Sequence, residues 1–137
     1  LNDVVNSEAF REKVFAHRGW RCHEGLDSEQ IYNRLMTGDR GGKGDLMVER
    51  TVSFDYTILP GEGGRVVGYR LDGTNDIFTY RRDFERMDAQ DLASHLGHEI
   101  LGHLAGEFGH PVYDTRRRRR SVPYTIDGFI SDLLDEE

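Results

Sequence analysis

The sequence predicts a single α+β domain over residues 1–137, on three observations. Apolar residues at helical spacing open the chain, and an alternating apolar pattern broken by glycine-rich turns fills its middle. A long apolar helix, a loop and a second amphipathic helix then end it. At 137 residues the chain has one domain's length, and seven Phe, six Tyr and one Trp give it enough large apolar groups for a modest core.

Ser7 caps a first helix whose apolar face carries Phe10, Val14 and Phe15. Asp27-Ser28-Glu29 opens a second, with Ile31, Leu35 and Met36 on one side and Gly38 to stop it. Trp20 anchors the join between the two, and His23 beside it reads as a packing or surface histidine. The four glycines between Thr37 and Asp45 mark a loop. Leu46–Leu59 alternates as a long strand, with Val48, Val52, Phe54, Tyr56 and Ile58 sharing a parity. Pro60-Gly61-Glu62-Gly63-Gly64 is a turn, and Arg65–Leu71 and Asp76–Tyr80 are two further strands, giving an antiparallel meander. Asp88-Ala89-Gln90-Asp91 resembles a capping box and starts a helix through Leu92, Leu96, Ile100 and Leu104 to about Gly106. A loop with Pro111 and five arginines, Arg116–Arg120, leads to an amphipathic helix over Asp127–Glu137.

Eighteen basic against 25 acidic residues leave a net charge of −7, which argues against nucleic acid as a partner through the summed field. Cys22 is the single cysteine, so no intrachain disulfide forms. No apolar run approaches the ~20 residues of a membrane span, and no signal peptide opens the chain, so no membrane partner is expected. The first residue is Leu1, which leads us to expect a part of a longer polypeptide, soluble, in a bacterial cytoplasm or delivered to a target cell. The arginine run reads first as a solvated loop and second as a basic patch that orients an acidic substrate or partner.

Four of the six histidines, His95, His98, His103 and His110, fall in one short stretch with Glu99 and Glu107. A zinc-hydrolase helix reads H-E-x-x-H, with two imidazoles one turn apart and a glutamate that activates the bound water. Here His98-Glu99 is followed by His103, one residue too far: five steps of ~100° leave the imidazoles about 140° apart on a regular helix. A π-type turn absorbs the extra residue, and Gly102 is the residue that tolerates it. A second geometry, His95, Glu99 and His103 at i, i+4 and i+8, needs no distortion and makes Glu99 a ligand.

His98-Glu99-Ile100-Leu101-Gly102-His103 resembles the H-E-x-x-G-H motif of dipeptidyl peptidase III, and His98 to His110 resembles the metzincin pattern H-E-x-x-H-x-x-G-x-x-H with one extra residue in each half. Ser121–Ile126 is similar to the segment after the metal helix in small bacterial zincin-like proteins, some of them toxin or effector domains. The resemblance implies a zincin-like zinc metallopeptidase, with a small sheet packed on the metal helix and flanking helices. It favours His98 and His103 as ligands of Zn2+, Glu99 as general base, and a peptide or protein as substrate, bound along a sheet edge at Asp76–Tyr80. Tyr124 and Tyr113 are candidates to stabilise an oxyanion, Tyr124 the better placed of the two.

A third ligand is needed to leave one open position. Glu107, His110 and Asp114 are the candidates. We favour His110, because Gly106 and Gly109 would end the helix in a left-handed reversal that carries His110 beneath it. Asp114 is the second choice, or an outer acceptor for a ligand N–H. Rival readings are a catalytically inactive metal-binding module and a metal-free protein-interaction domain, either of them a toxin or effector module.

Overall fold

A computed structural model describes residues 1–38, 54–64, 66–71, 73–106, 108–110 and 114–136. Among these residues the chain is α+β, as the periodicity predicts. The helices α1 (Asn2–Val5), α2 (Glu8–Ala16) and α3 (Ser28–Thr37) come first, followed by the strands β1 (Asp55–Leu59), β2 (Gly68–Arg70) and β3 (Asp76–Tyr80). After α4 (Arg81–Arg86) comes one rod made of α5 (Ala89–Gly97) and a π-helical segment, π1 (His98–Ala105). Two helices, α6 (Thr115–Arg119) and α7 (Val122–Asp135), close the chain.

The first helices form where their caps predict. Ser7 Oγ accepts from the Phe10 N–H at 3.1 Å, and Asp27 and Gln30 form a capping box. Gly38 ends α3 in the left-handed region, φ 67°, where a Cβ would be strained. The buried Trp20 donates its indole N–H to Ser28 Oγ at 2.9 Å and so ties the connection to the start of α3.

The sheet departs from a meander. Its order is β1-β3-β2, with β1 parallel and β2 antiparallel to β3. β3 is therefore the central strand and not the edge that the resemblance implied. The cause lies in the glycine-rich link after β1, which packs on α4 rather than folding β1 back on β2. Gly61 C=O accepts from the Arg82 N–H at 3.1 Å, and the Gly63 N–H donates to Asp83 Oδ2 at 3.2 Å. The expected first strand is seen only as Asp55–Leu59; its residues 46–53 lie outside the described residues, as does most of the 37–45 loop.

The core gathers Phe10, Val14, Ile31, Leu35, Leu104 and Phe108 with Val122, Ile126 and Ile130 of α7. That last series runs at intervals of four, a buried stripe at helical period. The final helix begins at Val122, five residues before the expected start at Asp127. Pro123 reads as a loop residue, yet a proline in the first helical turn loses no hydrogen bond and is compatible with a helix start. The arginine run is likewise a short helix rather than a loop, because Asp114 Oδ1 caps it by accepting from the Arg117 N–H at 3.1 Å. No helix among the described residues is long and apolar enough to cross a membrane.

Candidate metal centre

π1 is what brings the two motif histidines onto one side. In a π-helix each N–H reaches the carbonyl five residues back, so residues five apart lie close to one above the other. The Gly106 N–H, for instance, bonds Leu101 C=O at 2.8 Å. The π arrangement extends over eight residues, not the single turn expected. His98 and His103 thereby approach to 3.0 Å between their Nε2 atoms, and His110 Nε2 stands 3.3 Å from that of His98. All three ligand atoms lie within 4.8 Å of one another, close enough to bind a metal ion.

Gly102 is required here for a reason the spacing alone does not give. A Cβ on it would sit 2.7 Å from Pro123 Cα, so the start of α7 rests directly on the π1 backbone. Tertiary packing, not the conformational freedom of glycine, accounts for this residue.

The route to His110 also differs from the expected left-handed reversal. Gly106 keeps a right-handed conformation, φ −82° and ψ −21°, and Gly109 is not left-handed. The chain turns instead because the Phe108 N–H reaches back to Gly102 C=O at 2.9 Å while the Phe108 side chain buries itself fully. Gly106 makes room for that fold, since a Cβ would lie 2.7 Å from the Phe108 ring.

Hydrogen bonds at the far ring nitrogens fix which atoms face the centre. His103 Nδ1 lies 2.7 Å from Phe108 C=O, an oxygen that can only accept, so Nδ1 holds the proton and Nε2 a lone pair. His98 Nδ1 donates to Asp127 Oδ2 at 2.8 Å, which orients its Nε2 the same way. Burial, and after it the neighbouring imidazoles, push both rings down to about 3, so both are neutral at pH 7. Lone pairs turned toward one another at 3.0 Å repel unless a cation lies among them. The separation also fits: nitrogens ~2.0–2.1 Å from a tetrahedral zinc stand about 3.3 Å apart.

Glu99 is 4% exposed and its Oε2 has no hydrogen-bond partner among the described residues. Burial pushes its carboxyl up to about 7, and the nearby Asp127 adds to the rise; the Arg70 N–H and guanidinium oppose it. Asp127 is itself raised to about 7 by burial. A buried carboxyl with an orphaned oxygen, the half-buried Asp127 and three clustered imidazoles could hold a metal ion, and one bound there would lower both carboxyls again.

The centre opens into a cavity of about 980 Å³ between β2, the α5–π1 rod and α7, and Glu99, His98, His103, His110 and Tyr124 all line it. The Tyr124 ring lies edge-on to both His98 and His110, with centroids 4.5 and 4.8 Å away. Burial raises its hydroxyl above the usual tyrosine value.

The set His95, Glu99 and His103 is not assembled. His95 Nε2 meets Thr79 Oγ1 at 2.8 Å, and Tyr56 donates to the same hydroxyl at 2.6 Å, so His95 serves the sheet. Asp114 caps α6 and is not among the clustered groups. Glu107 and Tyr113 lie outside the described residues. Sequence reasoning missed Asp127, 29 residues after His98, and Arg70, whose Nη1 donates to His103 C=O at 3.2 Å. Asp127 was within reach had α7 been started at Val122, because Tyr124 and Asp127 then share a helix face.

Comparison with protein families, with curated proteins and with solved structures gave no match.

Proposed function

We propose that this chain is a zinc-dependent, endopeptidase-like hydrolase of peptide bonds, with His98, His103 and His110 as ligands of Zn2+ and Glu99 as general base. One observation carries the reading. Three imidazole nitrogens converge in the same cavity as a buried carboxyl with one orphaned oxygen, set one residue after the first of them. A structural zinc site is commonly closed by four ligands, often with Cys. Here three described side chains converge beside an open cavity, and Cys22 belongs to the α2–α3 connection.

Held by His98, His103 and His110, zinc would polarise the scissile carbonyl and lower the pKa of a water toward ~7. Glu99 takes the proton of the attacking water and passes it to the leaving amine, a role its buried position beside the three imidazoles allows. The Arg70 N–H holds that carboxyl against the end of β2. Tyr124 faces the same space and donates its hydroxyl to the developing oxyanion. Asp127 keeps the His98 proton on Nδ1, and the carbonyl of Phe108 does so for His103.

The substrate strand adds to β2 rather than to β3. Val67 and Leu71 bond inward to β3, at 3.0 Å each, which leaves the polar groups of Gly68 on an edge above the cavity that no strand among the described residues covers. The test is elemental analysis with a peptide-library digest of the chain and of Glu99→Gln. We expect about one zinc per chain in both, and a fall in hydrolysis of ~100-fold or more in the variant. Zinc binding without hydrolysis of any peptide would leave the inactive metal-binding module, and a Glu99→Gln chain without zinc would make Glu99 a ligand.

A further inference from the structure

Five consecutive arginines stand next to the candidate centre, and the chemistry above makes no use of them. Arg118 lines the cavity and its guanidinium lies 5.6 Å from the Tyr124 ring centroid, one side chain away from His98 and His110. At 100° per residue, Arg117 and Arg119 flank it on either side of α6, and Arg116 and Arg120 follow at the rear. These four are exposed, and none forms an ion pair among the described residues. Arg21, also exposed, joins them: its N–H donates to Arg120 C=O at 2.8 Å. The one carboxylate capping α6 is Asp114, and Glu24 in the loop of Arg21 is engaged by Arg34.

We propose that α6 and Arg21 recognise a short acidic segment of the substrate and lead it into the cavity past Arg118. The proposal rests on the peptidase reading for the word substrate. α6 is about 7.5 Å long, the span of roughly two to three extended residues. A field this local falls off within a Debye length of ~8–10 Å, so it acts on a few acidic side chains near the scissile bond. A nucleic acid would meet the same patch, but its further phosphates would face a chain of net charge −7. Peptide is therefore the better partner.

The experiment uses the zinc-loaded chain and three peptides of one central sequence, flanked by Asp and Glu, by Asn and Gln, or by Lys. We expect kcat/KM on the acidic peptide to exceed that on the neutral one by about tenfold or more in low salt, the difference shrinking as salt is raised. Arg116→Gln with Arg117→Gln and Arg119→Gln should abolish that preference through KM and leave cleavage of the neutral peptide unchanged. Equal rates on acidic and neutral peptides, or an unchanged preference in the triple variant, would overturn the proposal. So would a single-stranded oligonucleotide of equal charge that displaces the acidic peptide from zinc-loaded Glu99→Gln at lower concentration than the peptide itself requires. Should no peptide be cleaved while the acidic one still binds zinc-loaded Glu99→Gln through the three arginines, the surface stands and the peptidase reading falls.

Discussion

Along one rod of helix, α5 carries its own capping box, whereas π1 leans on what surrounds it. Asp88 accepts from the Asp91 N–H and Asp91 from the Asp88 N–H, so the start of α5 is satisfied by its own side chains. π1 has no side-chain cap, and its geometry is held by Pro123 against Gly102, by Phe108 folded beneath, and by Arg70 on the His103 carbonyl. The first half is local and the second tertiary. A π-helix is a rare conformation, and here the contacts that impose it also aim the imidazoles.

Histidines in the two halves should therefore fail differently. His103→Ala removes from π1 one of the three proposed ligands and should weaken zinc binding on the order of a thousandfold or more, since structural zinc is worth ~10–16 kcal/mol over its full ligand set. His95→Ala, in α5, should keep the zinc and lose stability, because it strips the buried Thr79 Oγ1 of one of its two partners. Competition against a chelator of known affinity separates the two. Equal zinc loss in both variants would return His95 to the ligand set.

pH sharpens the same contrast. Burial, aided by His98, holds His95 down at about 4 against 6.5 in the unfolded chain. Between these values the unfolded state binds the extra proton, so this contribution to stability is whole above pH 6.5 and is lost as pH falls toward 4. The ceiling is on the order of 3 kcal/mol. Between pH 7 and 4.5 the urea midpoint of the metal-free parent should therefore fall relative to that of His95→Gln. A variant that loses as much as the parent would show that His95 titrates normally.

The rod also holds one glycine of each kind. A Cβ at Gly97 would meet Ile130 Cδ1 at 2.2 Å, the far end of a side chain that can rotate away. At Gly102 the obstacle is the Pro123 backbone. Gly102→Ala should cost about 2–3 kcal/mol by overpacking and weaken zinc binding, with Gly97→Ala below 1 kcal/mol and its zinc intact. Thermal unfolding with and without zinc measures both; the reverse ranking would mean that α7 can slide along the rod.

The same division explains what could be read in advance. The caps at Ser7, Asp27 and Asp88 are signals within a few residues, and each lies where its own side chain reaches the backbone. The H-E-x-x-x-H spacing pointed to a π turn if His98 and His103 were to converge, because a regular helix leaves them about 140° apart. The undistorted His95, Glu99, His103 set stayed open on spacing alone. The strand order did not follow from alternation, since β2 and β3 are equally good partners for β1 until Asp83 draws the Gly63 loop onto α4. Asp127 and Arg70 escaped because they act across the fold, one from 29 residues downstream and one from 33 upstream of its partner. The arginine run looked like a solvated loop because like charges three and four apart repel along a helix. The Asp114 cap outweighs that for one turn.

The smallest expected effect tests the independence of the two halves most directly. Asp88→Ala removes the Oδ1 acceptor of the Asp91 N–H and leaves the Asp88 N–H with its Asp91 partner. Loss of an N-cap side chain costs about 1 kcal/mol, and this cap is exposed, so the first turn of α5 frays rather than the whole helix. π1 begins nine residues after Ala89, and its seat on α7 does not involve that turn. Zinc affinity should therefore stay within about twofold of the parent, far below the ~1.4 kcal/mol that a tenfold change requires. The measurement is zinc competition beside thermal unfolding on the same preparation. If affinity drops in step with stability, fraying at Asp88 reaches the imidazoles through the rod. α5 and π1 would then be one cooperative unit, and the seat on Pro123 would not be what holds the histidines.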